Sequence, residues 1–171
     1  MSELVGKWPL TYQENSVYGD ALLGETWETL DAAELPFSNL SQHVSNERVK
    51  VKWVKNTGLT VLAPGSVLKV DVANDITKNV VQAGAGDRAC GVVSHRLKKD
   101  VPVGGKFPMI YGGPCEVLVD AAYPVNQAIG TAAAGVATTS ADTDLVSAFG
   151  RLLEASTGAG LVRAKIEVEL V

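Results

Sequence analysis

Residues 83–93 read Ala-Gly-Ala-Gly-Asp-Arg-Ala-Cys-Gly-Val-Val, AGAGDRACGVV. Gly84, Gly86 and Ala89 occupy the three small positions of a G-x-G-x-x-G/A dinucleotide fingerprint, and Ile76 to Gln82 supply the strand such a loop follows. That loop works only where its last small residue opens a helix, whose N-terminal amides hold a pyrophosphate. Here the continuation is CGVVSHRLKKDVPVGG, with Gly91 at its start, the β-branched pair Val92-Val93 next, and Pro102 and Gly104-Gly105 at its end. It has no apolar stripe at helical spacing, so no βαβ unit can be built from it. The stretch therefore predicts a glycine-rich turn between two strands, and no cofactor.

Outward from this turn the two-residue period of half-buried strands dominates. In RVKVKWVK, Val49, Val51 and Trp53 fall on one face, with Arg48, Lys50 and Lys52 on the other. Leu68, Val70 and Val72 alternate with Lys69 and Asp71, after a turn at Ala63-Pro64-Gly65. The pattern continues through ITKNVVQ, CGVVSHRL, KFPMIYGG and CEVLVDAA. It is cleanest in GLVRAKIEVELV, where Val162, Ala164, Ile166, Val168 and Leu170 oppose Arg163, Lys165, Glu167 and Glu169. Turn signals at Asn56-Thr57-Gly58, Pro64-Gly65, Gly84–Gly86, Gly104-Gly105, Gly112-Gly113-Pro114, Gly130, Gly135 and Gly158 recur about every 8–12 residues, the spacing of a sandwich or barrel. No amphipathic helix follows Arg48. The expected fold is mainly β, a compact barrel- or sandwich-like domain over 48–171 with an extended arm over 1–47.

The arm differs in composition from the body. Up to Asn46 its acids are Glu3, Glu14, Asp20, Glu25, Glu28, Asp31 and Glu34, against Lys7 alone, and the strongly basic RVKVKWVK follows directly. It holds Trp8 and Trp27, and DAAEL (31–35) reads as one helical turn stopped by Pro36. The outward cations of RVKVKWVK suit either an edge protected from stray pairing or an acidic arm from a neighbouring subunit. Trp8, Trp27, Arg48, Lys50, Lys52 and Trp53 are accordingly the candidate capsid or inter-subunit contacts, large aromatics being effective interface anchors. Packing of both arm tryptophans against the chain's own core is the alternative.

Bulk properties exclude several classes. The 171 residues are 46% hydrophobic and 20% charged, enough apolar material for one core, and only 6% aromatic. A formal net charge of −4 argues against nucleic acid as a partner, because phosphate binding needs a cationic footprint. The opening MSELVGKWPL lacks the basic start and apolar run of a signal peptide, and no apolar run reaches the ~18–20 residues of a membrane span. Synthesis in a cytoplasm with Cys90 and Cys115 as reduced, buried thiols is expected. His43 and His95 cannot make a multi-histidine metal site, no G-x-S-x-G elbow occurs, and no catalytic constellation is present. His95 is expected at the surface, and His95, Arg96, Lys98 and Lys99 form a small basic cluster, either a solvated hairpin tip or a docking patch for an acidic surface.

Taken in order, GSVLKVDV, AGAGDRACGVV, VPVGGKFPMIYGGPCEVLVD, QAIGTAAAGVAT and GRLLEASTGAGLVRAKIEVEL resemble the small capsid cement, or head decoration, proteins of tailed phages. The likeness spans Leu59 to Val171. It implies a β-tulip-like domain on the outside of a phage head, bound to the major capsid protein, commonly as a homotrimer, with no catalytic residue or cofactor to carry over. The chain departs from that pattern in its first 50 residues and at the basic His95–Lys99. The alternative is a head-fibre or adhesin-type β module binding carbohydrate or a host surface. Such a module would show an exposed aromatic platform, which Tyr12, Tyr18, Tyr111 and Tyr123 do not obviously make.

Overall fold

A computed structural model describes residues 23–30, 47–140 and 148–168. Ten strands follow one another: β1 (Thr26–Leu30), β2 (Arg48–Asn56), β3 (Val67–Val70), β4 (Asn79–Gln82), β5 (Gly91–Val93), β6 (Lys106–Val119), β7 (Ala128–Thr131), β8 (Ala137–Thr139), β9 (Gly150–Leu152) and β10 (Gly160–Glu167). Among the described residues the one helical element is a 3-10 turn at Ala133–Gly135. The protein is mainly β, as the period-two pattern predicts.

The strands pair in the order β1-β2-β4-β3-β5-β6-β10-β9-β7-β8, with two further pairings, β2 with β6 and β6 with β8. Those extra pairings close the sheet twice. β2, β4, β3, β5 and β6 form one ring, and β6, β10, β9, β7 and β8 form a second. The 14-residue β6 belongs to both. Its first half lies against β2, with Lys106 opposite Lys55 and Gly112 opposite Lys50, and its second half against β10, from Gly112–Glu167 to Val119–Gly160.

Neighbouring residues on the central strands point to opposite faces, and each face has its own core. Val54, Leu68, Val80, Cys90, Val93, Phe107 and Met109 pack together inside the first ring with Leu62, Leu97 and Val101. Val49, Val51, Val67, Val92 and Ile110 face the other way, joining Cys115, Val117, Ile129, Phe149, Leu152, Val162, Ala164 and Ile166 of the second ring. Strands buried on both faces read as continuous apolar runs, which explains Val67-Leu68 and Val92-Val93.

β6 differs from the sequence reading, which divides it into two strands at Gly112-Gly113-Pro114. The glycines do not turn the chain. Gly113 has φ +93°, and a Cβ there would lie 2.3 Å from the carbonyl oxygen of Arg48. They let β6 run close under β2, beside a bulge where Lys50 faces Gly112, Val51 faces Ile110 and Tyr111 has no opposite number. Gly130 likewise lies inside β7.

Candidate interaction surface

AGAGDRACGVV is a turn, built around Asp87. The Gly84 N–H donates to Asp87 Oδ2 at 2.6 Å, and the Asp87 N–H donates back to the Gly84 carbonyl at 3.2 Å. Lys69 Nζ sits 2.8 Å from the same carboxylate, and the Thr131 hydroxyl donates to the Asp87 carbonyl at 2.7 Å. The Lys69 hydrogen bond, then the Gly84 amide, hold the Asp87 carboxyl below its usual range. Gly86, at φ +75°, makes the reversal. The chain then enters β5, pairing with β3 and β6, where a dinucleotide site would need a helix.

Of the arm, Thr26–Leu30 is strand β1, paired antiparallel along β2 with Thr26 opposite Lys52 and Leu30 opposite Arg48. Trp27 stands opposite Val51. Trp8 and the helical turn expected at 31–35 lie outside the described residues. Arg48 is exposed and meets Glu28 at 2.7 Å, while Lys50, half-buried, is 4.0 Å from Glu167. Lys165 of β10 meets Glu47 at 3.0 Å. Tyr111, the extra residue of the bulge, hydrogen-bonds Thr26, and burial together with Glu28 holds its phenol above the ordinary value.

Two of the candidate contacts are not surface groups. Trp53 is buried with Val49 and Val51, as the alternation predicts. Lys52 was expected outside with Arg48 and Lys50, yet it too is buried. It shares a strand face with Val54, and the closing ring turns that face inward, so Lys52 lies over Val54, Cys90 and Met109. Burial lowers its pKa, opposed by Cys90 and Asp75.

The basic cluster also divides. Lys98, Lys99 and Asp100 are exposed, whereas Arg96 is buried and His95 is largely enclosed instead of standing at the surface. His95 Nδ1 accepts the Glu116 backbone N–H at 3.3 Å. Burial, then the charges of Arg96 and Arg163, push its pKa down to about 3, so it is a neutral structural acceptor at ordinary pH. Burial pushes the Cys90 thiol up to about 12, against the opposing charge of Lys52, so it stays protonated and is a poor nucleophile at ordinary pH. Among the described residues no group of three His, Cys, Asp or Glu side chains could hold a metal ion.

One feature escaped the sequence reading. Asn56, wholly buried at the end of β2, binds two loops together. Its Nδ2 donates to the carbonyls of Thr60 at 2.9 Å, Pro102 at 3.2 Å and Val101 at 3.5 Å, and its Oδ1 accepts the Gly58 N–H at 3.1 Å. A bridge between Leu62 and Val101 joins the same loops. The uncharged surface so fixed presents Leu59, 97% exposed, with Val61 and Val103 about half exposed. The turn at Asn56-Thr57-Gly58 was legible, since Asx side chains organise turns two residues on, but the reach of Asn56 to the second loop was not.

No family model matches the chain, and no curated protein matches it. Among solved structures, its fold is similar to the head fibre gp8.5 N base of bacteriophage phi29, at a TM-score of 0.53 and 18% identity. The match covers 70% of this chain and 97% of that one. At that identity the likeness is one of fold. It joins the two-ring β architecture to a known β fold, and that is the placement the comparisons give this protein.

Proposed function

We propose that this protein is a non-enzymatic structural component of the exterior of a tailed-phage head, a cement protein that binds the major capsid protein as a homotrimer. The observation that carries the reading is the likeness in fold to the phi29 head fibre base. The cement resemblance read in residues 59–171 points the same way. The docking surface would combine Arg48 and Lys50 with the rigid apolar end at Leu59, Val61 and Val103. Physically, a protein that binds only the assembled shell stabilises it by linkage, because its binding free energy is lost when the joint opens. Three equivalent contacts per trimer allow each to be modest.

A second reading, the base of a head fibre, is favoured by the same structure's being a fibre base. Co-sedimentation with purified expanded heads, followed by thermal disruption of the decorated shells, separates the two. Binding that raises the disruption temperature of the shell supports the cement role. Binding that leaves it unchanged supports the fibre base. Failure to bind overturns both.

A further inference from the structure

We propose that β1 is exchanged between copies of this chain, so that Thr26–Leu30 of one molecule completes the β2 edge of the next. The first ground is topological. Both rings close through β6, and β1 belongs to neither; among the described residues it is an end strand of the sheet, paired on β2 alone. Both rings would stay closed in a molecule that lends its β1 elsewhere.

The second ground is the connection. Leu30 and Arg48 are direct partners on adjacent strands, a separation that a two-residue turn spans. Instead 17 residues, 31–47, join them. Extended at ~3.3–3.6 Å per residue, that length of chain reaches roughly 55–60 Å, ample for a neighbouring molecule. The entropic cost of closing a loop grows only slowly with length, so a connection of this length is compatible with pairing on the same chain or on a second one.

The third ground is charge. β1 brings Glu28, with Glu25 just before it, to a strand edge bearing Arg48 and Lys50. Two β1 strands laid antiparallel edge to edge would set these acids against one another, which disfavours simple pairing of free edges. The basic edge of β2 selects an acidic strand, and β1 is one. Exchange retains every pairing of the closed form, including Glu28–Arg48 and Thr26–Tyr111, so it is a low-cost route to a closed oligomer. The inference needs only a second copy of the chain, and it stands or falls separately from head binding.

Glu28 and Lys50 face each other across the ladder, within the span of a disulfide. The native thiols, Cys90 and Cys115, are buried and do not compete. Glu28→Cys protein and Lys50→Cys protein, unfolded together, refolded and oxidised, should give a two-chain disulfide-linked species. The double variant Glu28→Cys/Lys50→Cys should give a ladder ending at the oligomer's full chain number. A double variant that oxidises wholly within single chains, with no linked species from the mixture, overturns the proposal. A second measurement leaves the sequence untouched. Unlabelled and 15N-labelled wild-type chains are refolded together and treated with a carbodiimide, which condenses carboxylates with nearby amines, and the Glu28–Lys50 product, between residues opposite one another on the ladder, is read by mass spectrometry. Linked peptides of mixed isotopic origin, as abundant as unmixed ones, support exchange; absence of mixed pairs, whether or not unmixed ones form, refutes it.

Discussion

Gly91 and Gly86 belong to one stretch but respond to a methyl group in opposite ways. A Cβ on Gly91 would stand 2.6 Å from the Ile110 carbonyl oxygen and 2.6 Å from Met109 Cγ, so β5 could no longer lie against β6. Gly86 points into open space and suffers only from its positive φ. Gly91→Ala should cost about 3 kcal/mol, as overpacking at a backbone contact does, and Gly86→Ala about 1 kcal/mol. Urea unfolding monitored by circular dichroism measures both, and equal losses would contradict this account. His95 sets a pH dependence at the same scale. Its folded pKa lies below the ordinary histidine value, so as pH falls through about 6.5 the unfolded chain takes up a proton that the folded chain refuses. Stability is therefore full above that range and falls by up to about 1.4 kcal/mol per pH unit on the way down towards the folded value. Between pH 7 and 5.5, above the range where carboxylates titrate, the wild type should lose about 1 kcal/mol. His95→Gln, which cannot titrate, should flatten that slope.

At the scale of elements, Asn56 decides whether the end of the first ring is a surface or a pair of loose loops. Asn56→Ala would leave the Thr60 and Pro102 carbonyls and the Gly58 amide without their partner at a buried site, a loss of about 2–4 kcal/mol. Hydrogen exchange should speed up at residues 57–62 and 101–105 beyond what global destabilisation explains; uniform acceleration would count against a local role. How much of this was legible in the sequence follows from what each element depends on. The alternation is legible in the first half of β2 and the second half of β10, where successive side chains face a core and then the outside. The turn at Asp87 was legible because a helix was plainly absent after Ala89. β6 was not, since a Gly-Gly-Pro run signals a turn unless one knows that another strand passes 2.3 Å from where a side chain would stand. Lys52 was misplaced for a related reason: its face is set by ring closure, a relation between distant strands. β1 has five residues, too few for a period, and its partner lies beyond 17 intervening residues.

For the whole molecule, the two cores should open together, since neither ring exists without β6. Each core holds one thiol, Cys90 in the first ring and Cys115 in the second. Pulsed alkylation with iodoacetamide in increasing denaturant should expose both with one midpoint, coincident with the loss of circular dichroism. Separate midpoints would show two independently stable halves. A similar logic bears on how the surface is used. Arg48 and Lys50 stand at the start of β2, where Lys50 comes near Glu167 of the second ring, and Leu59 lies beyond the other end of the same strand.

That common strand also has a consequence in time. β6 finds its partners β2 and β10 on opposite sides in the sequence, with Lys55 opposite Lys106 and Gly160 opposite Val119. The central ladders thus join residues about 50 positions apart, the kind of non-local pairing that makes folding slow. The second ring cannot shut until β10, near the end of the described chain, has been synthesised. Until then β6 presents one bare edge to its surroundings. A newly made molecule must pass through a half-closed interval, and Glu116, the charged residue in that half of β6, is what stands there to keep it from strangers meanwhile.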